Sequence, residues 1–372
     1  MKKITASFIA LTLLLTALFS CSKPENKDNN PANGFDKAAM LVNYADNLII
    51  PAYASMQQKI AALQTASDAF IANPNAITQG AVKTAYTDAH LQYIRIATFN
   101  FGPAETVLLD NYLNFSGGLD YSFTTDGELT GFSVDTMAIN NNILSGSYNL
   151  EMLTRSGFYS QGFPALNYLY FGNDAITKMD SKRAKYINDL LARMKTLIDK
   201  VTNDWSGYRA TFVGNTQTNS GSPIAYIVNQ LSYQLDLLKG PRIGWPLGKQ
   251  SNGKVFETKC EAYFVGISMS LAVENLNSIK RLYTGNNTSG KGLSDYLVAL
   301  NQSTLNTDVL TQFDLALEKL KAIPDPLSNS LLTQAATVDA AYKEIQKLVT
   351  LMKTDVASAT AVQISYADND GD

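Results

Sequence analysis

The sequence predicts an all-α protein, and three observations carry that expectation. Apolar residues recur at steps of three and four over most of the chain, which is the spacing of one buried helix face. The stripes are separated by short polar segments with proline or glycine at natural breaks, such as Asn73-Pro74-Asn75 and Pro324-Asp325-Pro326. A composition rich in Gly, Thr and aromatics is confined to residues 117–133. The expected architecture is two packed four-helix-bundle-like domains with a small irregular or β-hairpin insertion in the first.

The elements follow in order. Leu41, Tyr44 and Leu48 open a stripe that continues through Met56, Ile60 and Leu63. Pro51 should kink this helix, because it removes a backbone donor and crowds the preceding turn. Val82, Tyr86, Ala89, Tyr93, Ala97 and Phe101 form the next stripe, and the insertion places a hairpin turn at Asp126-Gly127. Ile187, Leu190, Met194, Leu197, Val201 and Trp205 mark a further helix, and Ile224, Val228, Leu231, Leu235 and Leu238 another. Between them, Val213–Pro223 is the most linker-like interior segment. Phe256, Cys260, Tyr263, Ile267 and Leu271 lead into Leu276, Ile279 and Tyr283 as one long helix. Val309, Phe313, Ala316 and Leu320 form the next. Leu331, Ala335, Val338, Tyr342, Ile345, Val349 and Met352 read as a continuous bundle seam.

The amino terminus reads as an address. Lys2 and Lys3 precede an apolar stretch that ends at Ser20, too short for a membrane span and suited to a secretory signal. Leu18-Phe19-Ser20-Cys21 resembles a bacterial lipobox, with Cys21 as the lipidated residue. The expected organisation is a lipoprotein signal peptide over 1–20, a flexible polar tether over 21–34, an N-terminal helical bundle over 35–213 and a C-terminal bundle over 220–366. The expected location is the outer membrane, lipid-anchored, on the periplasmic or cell-surface face. The membrane is then a partner through the anchor.

Composition excludes several function classes. The chain of 372 residues has 30 Lys+Arg against 33 Asp+Glu, so no basic excess draws it to nucleic acid. One His and two Cys exclude a zinc finger, a CxxC pair, a disulfide framework and a three-histidine zinc site. No P-loop, GxSxG or HExxH motif is present. His90 lies beside the Ala89 position of its stripe, facing either the core edge or solvent. Glu257 and Glu261 fall at i and i+4, and on a helix would share a face able to bind a cation or act as acid and base. Cys260 sits among Phe256, Tyr263 and Phe264 and reads as a packing residue. Asp368–Asp372 imitates the start of an EF-hand loop, but the chain stops before the later ligands.

Three stretches together resemble the imelysin-like family of bacterial secreted helical proteins, which is associated with iron uptake. Residues 162–172, GFPALNYLYFG, are similar to its GxHxxE segment. Residues 243–249, IGWPLGK, resemble its Gly-Pro-Leu-Gly loop, and Glu261–Gly285 is similar to the long helix that follows. Tyr93–Pro103 fits the early helix. The resemblance implies two packed helical bundles, iron or another divalent metal as cofactor, peptidase activity or uptake, and uptake-system proteins as partners. In the family motif, His and Glu three apart converge on one cation. Here Pro164 stands at the His position and Asn167 at the Glu position, behind Gly162, and Ala97 aligns where an acidic residue is common.

With those ligands replaced, the resemblance implies a non-catalytic binding or accessory lipoprotein, with no cofactor and no metal held by the motif. Two rivals stand beside it. One is an imelysin-type metallopeptidase with a site rebuilt from Glu257, Glu261 and His90. The other is a binder of a polar small molecule or glycan, using Asn167, Tyr168, Tyr170 and Gln161.

Overall fold

The computed structural model describes residues 34–116, 119, 123, 127, 129, 134–287 and 290–366. Cys21, the signal-like stretch, the tether and the acidic carboxy terminus lie outside these residues. The described chain is all-α. Its one β feature is an isolated antiparallel bridge from Phe123 to Leu129, on either side of Asp126-Gly127; most of the predicted insertion lies outside the described residues.

Nine helices frame the site: α1 (Ile50–Ala72), α2 (Ala76–Ala97), α3 (Leu109–Asn114), α4 (Gly162–Phe171), α5 (Ser181–Gly214), α6 (Pro223–Leu237), α7 (Ser268–Thr284), α8 (Ser303–Lys321) and α9 (Ala335–Thr350). Their starts are encoded locally. Asn75 caps α2 by accepting from the Ile77 and Thr78 amides, and Thr78 returns a bond to the Asn75 amide. Asp180 caps α5 through the Arg183 amide, and Ser222 caps α6 ahead of Pro223 in the first turn.

Helix α1 packs against α2 and α5, and α8 packs against α9. Helix α7 touches both groups, lying against α2 on one side and α8 on the other. One continuous apolar core runs through all of them. Polar ties cross it: the Gln234 amide donates to the Ala97 carbonyl at 3.0 Å, and Asn275 donates to Gln234 at 3.2 Å. No helix among the described residues is long and apolar enough to cross a membrane.

Two expectations about the helices need correction, and one helix shows a local change of register. The stripe through Pro51 is carried by a helix over Lys37–Asn43, a π-helical stretch over Tyr44–Ile49 and then α1, with Pro51 in its first turn. Proline is tolerated in a helix's first turn, and the π stretch lies immediately before it. The seam ending at Met352 is interrupted at Gln334, whose backbone leaves the helical region at φ −137°. The largest departure concerns Phe256–Tyr283. Glu257–Lys259 is a single 3-10 turn, Cys260 is extended, Ala262 and Gly266 take φ of 53° and 73°, and α7 begins only at Ser268. Cys260 and Tyr263 are buried or half-buried in a folded loop, so their spacing imitates a helix without forming one.

Candidate functional site

That loop closes over a cavity of about 330 Å³, whose walls include Tyr86, His90, Asn114, Pro164, Asn167 and Glu261. Helix α2 contributes Tyr86 and His90, α4 contributes Pro164 and Asn167, and α3 contributes Asn114. The loop is fastened to α4 by Asn167, whose Oδ1 accepts the Val265 amide at 3.0 Å.

His90 is 1% exposed. Its ring lies flat on Phe163, centroids 4.3 Å apart and planes 7° apart, while Tyr86 meets it edge-on at 5.5 Å. Tyr86 in turn donates its hydroxyl to the Phe163 carbonyl at 3.0 Å. The imidazole is thus held by packing, and neither Nδ1 nor Nε2 has a hydrogen-bond partner. Glu261 Oε1 stands 3.5 Å from Nε2 without hydrogen-bond geometry. Burial pulls His90 below the ordinary histidine range, outweighing the upward pull of the Glu261 carboxylate, so the ring is neutral near pH 7. A neutral imidazole offers one donor and one acceptor.

Glu261 is also buried, and both of its oxygens are engaged. Oε1 accepts from Asn114 Nδ2 at 2.7 Å and Oε2 from Arg242 Nε at 2.8 Å. Burial opposes ionisation, but the Arg242 guanidinium, aided by His90 and Asn114, holds the carboxyl down at about 2. Arg242 sits on a π-helical turn, Leu238–Gly244, that continues α6 and contains Pro241. Such turns are frequent at functional sites, because they push one residue out of helical register. Here the π-helical turn carries the cation that pairs with Glu261.

Pro164 and Asn167 therefore share one cavity with His90 and Glu261, as residues of the segment that resembles the GxHxxE motif. The profile of the imelysin family matches residues 49–354. The chain belongs to the imelysin family. Two solved structures agree in fold. An imelysin-like protein from Psychrobacter arcticum 273-4 superposes with a TM-score of 0.70 at 17% identity, covering 89% of this chain and 97% of that one. A putative iron-regulated protein A precursor from Parabacteroides distasonis ATCC 8503 gives 0.67 at 17% identity, covering 87% and 94%. No curated protein sequence matches.

The donor set does not suit the divalent metal expected from the resemblance. Pro164 has no lone pair to give. Asn167 Oδ1 already serves the Val265 amide, and both Glu261 oxygens serve Asn114 and Arg242. A cation at Glu261 would also meet the guanidinium at hydrogen-bond range of the same carboxylate. Among the residues lining the cavity, His90 offers two nitrogens without a hydrogen-bond partner. Among the described residues no group of three or more His, Cys, Asp and Glu could hold a metal ion.

The other sequence candidates separate. Glu257, on its 3-10 turn, does not line the cavity and shares no helix face with Glu261, because the chain is extended at Cys260. Tyr170 is fully buried and donates to Ser67 Oγ at 2.7 Å, as part of the core. Tyr168 bonds Asn140 outside the cavity, and Gln161 is turned to the Gly157 carbonyl. Of the four polar residues proposed to line a pocket, only Asn167 lines this cavity. Cys260 borders the cavity as a free thiol that burial pushes far above its ordinary range. Sequence reasoning missed Asn114, Arg242 and Asp110. Arg242 had one usable signal, an arginine inside the otherwise uncharged run Gly240-Pro241-Arg242-Ile243-Gly244-Trp245-Pro246-Leu247.

Proposed function

We propose that this imelysin-family chain is a non-catalytic binding protein, anchored through Cys21 to the outer membrane and accessory to iron or nutrient uptake. Its cavity takes a small uncharged polar ligand in place of a coordinated metal. The observation that carries this reading is His90: a buried, neutral imidazole with two unpartnered nitrogens on the wall of a cavity of about 330 Å³. Leaving such groups unpaired costs about 1–3 kcal/mol each, so a ligand that both donates and accepts recovers that energy on binding. The surrounding Phe163 and Tyr86 rings fix the imidazole in advance, which lowers the ordering cost. On this reading the cavity lies where an N-terminal bundle over 35–213 meets a C-terminal bundle over 220–366.

The test compares two ligand classes on the chain from residue 35 onward and on its His90→Phe variant. Uncharged amides, nucleobases and sugars are expected to include compounds that raise Tm for the parent and not for the variant, because a ligand selective for the folded state stabilises it. Iron(II), iron(III) and zinc are expected to give no saturable shift. Retention of about one metal per chain by elemental analysis, abolished in Glu261→Gln, would overturn the reading.

The anchor is tested separately. Cys21→Ala is expected to move the protein from the membrane fraction to the soluble fraction and to remove labelling by a palmitate analogue. Unchanged membrane retention would remove the lipid from the proposal.

A second reading has one observation behind it. His90 Nε2 and Glu261 Oε1 lie 3.5 Å apart, which puts a histidine beside a carboxylate as in hydrolases, though without the orienting hydrogen bond. A hydrolase would also need an activated nucleophile. The Cys260 thiol stays protonated, and the Glu261 carboxylate is committed to Arg242. Peptide hydrolysis that survives purification and disappears in His90→Phe would favour this reading over binding alone.

A further inference from the structure

A smaller pocket of about 100 Å³ lies next to the first, and Asn114 borders both. Its walls include Asn100, Asp110, Asn114 and Arg242. Asn114 has only one possible orientation. A carboxylate accepts and cannot donate, so Nδ2 must face Glu261, which leaves Oδ1 as an acceptor with no partner. Arg242 is in the same condition: Nε is bound to Glu261, and Nη1, buried, has no partner. Asn100 Oδ1 is a third buried atom without one. The fourth group is Asp110, oriented by the Tyr93 hydroxyl at 2.9 Å and within electrostatic reach of Arg242.

These groups define what would complete them. Arg242 Nη1 needs an acceptor, best an anionic oxygen. Asp110, Asn100 and Asn114 need donors, best carried by a cation. We propose that this pocket is a second ligand site, for a small zwitterion whose carboxylate meets Arg242 and whose ammonium meets Asp110 and the two asparagine oxygens. The small volume, about 100 Å³, favours the smallest amino acids. The proposal does not require a ligand at His90.

Isothermal titration of the full folded chain with glycine, L-alanine and L-serine tests it, with acetate and methylammonium as half-ligands. At least one amino acid is expected to bind with a stoichiometry of one, about tenfold tighter than either half-ligand. Asp110→Asn is expected to weaken that binding about tenfold. Asn100→Ala, which removes no side-chain hydrogen bond of the protein, is expected to weaken it severalfold and serves if Asp110→Asn folds poorly. No heat from any of the three up to about 10 mM means that waters fill the pocket, and overturns the proposal. Acetate binding as tightly as the amino acids, or Asn100→Ala binding as well as the parent, also overturns it.

Discussion

Glu261→Gln is expected to destabilise the fold by about 3–5 kcal/mol, because it strands the Arg242 guanidinium in a buried site without its counter-charge. The two side chains are 3% and 5% exposed, so water cannot take over. The neutral amide can still accept one hydrogen bond from Arg242 Nε. Asn114 can rotate its unpartnered Oδ1 toward the new amide group. Shape and most hydrogen bonds therefore survive, and the loss is that of the charge, which places the effect toward the lower end of the range. Urea unfolding followed by circular dichroism measures it. Arg242→Met should cost about as much for the converse reason, while the double variant should cost less than the sum of the two singles. Additive losses would mean that the pair is not coupled.

The same pair sets a pH dependence. The Glu261 carboxyl lies at about 2 in the folded chain against an ordinary 4.5. The unfolded chain binds more protons between these values, so the contribution is present above the ordinary value and lost as pH falls toward about 2; its size is about 3 kcal/mol. His90 acts in the same sense at higher pH. Its folded value is depressed, so its contribution is present above the ordinary histidine range and lost as pH falls below it. Asp110 acts in the opposite sense: burial pushes its carboxyl up to about 6, so its contribution is present below the ordinary aspartate value and lost as pH rises through about 6. The acid limb between about 4.5 and 2 should be flattened in Glu261→Gln, measured as the difference from the parent in urea unfolding across that range.

The helices were legible in the sequence because their cause is local. The stripe from Ile187 to Trp205 lies within one 34-residue helix, and the caps at Asn75, Asp180 and Ser222 are written next to the helices they start. The loop before α7 was not legible, since Phe256, Cys260, Tyr263 and Ile267 have helical spacing. What breaks the helix is backbone geometry at Ala262 and Gly266, together with anchors supplied from elsewhere, such as Asn167 on the Val265 amide.

The site was half legible for the same reason. The resemblance located Pro164 and Asn167, and singled out the missing ligands. It did not locate the pairings that replace them. Asn114 is 147 residues from Glu261 in sequence and Arg242 is 19 away across a turn, so no spacing rule connects them. His90 was read as a core-edge or surface residue from its place beside Ala89. Both are buried, because this stretch of α2 is covered by α1, α7 and α4 together and its exposed edge runs instead through Thr84, Asp88 and Arg95.

Gly162→Ala is expected to destabilise the protein by about 2–5 kcal/mol and to damage the site from outside it. Gly162 opens α4 at φ +66°, where a side chain is strained. An added Cβ would lie 2.2 Å from the Leu113 carbonyl oxygen and 2.6 Å from that of Tyr112. Both are backbone atoms, so no rotamer change relieves the clash, and α3 and α4 must move apart. The consequences are specific. Asn114 follows Leu113 and holds Glu261, while Phe163 follows Gly162 and carries the His90 ring. Gly80→Ala is the internal control. It lies inside α2 with nothing within 4 Å of the added carbon, and should stabilise by about 0.5–1 kcal/mol through helix propensity alone. Opposite signs for these two glycine-to-alanine changes, read as Tm shifts on the same chain, would tie the first residue of the motif to the contact between α3 and α4. A neutral result at Gly162 would show that this contact yields, and that neither Asn114 nor His90 depends on it.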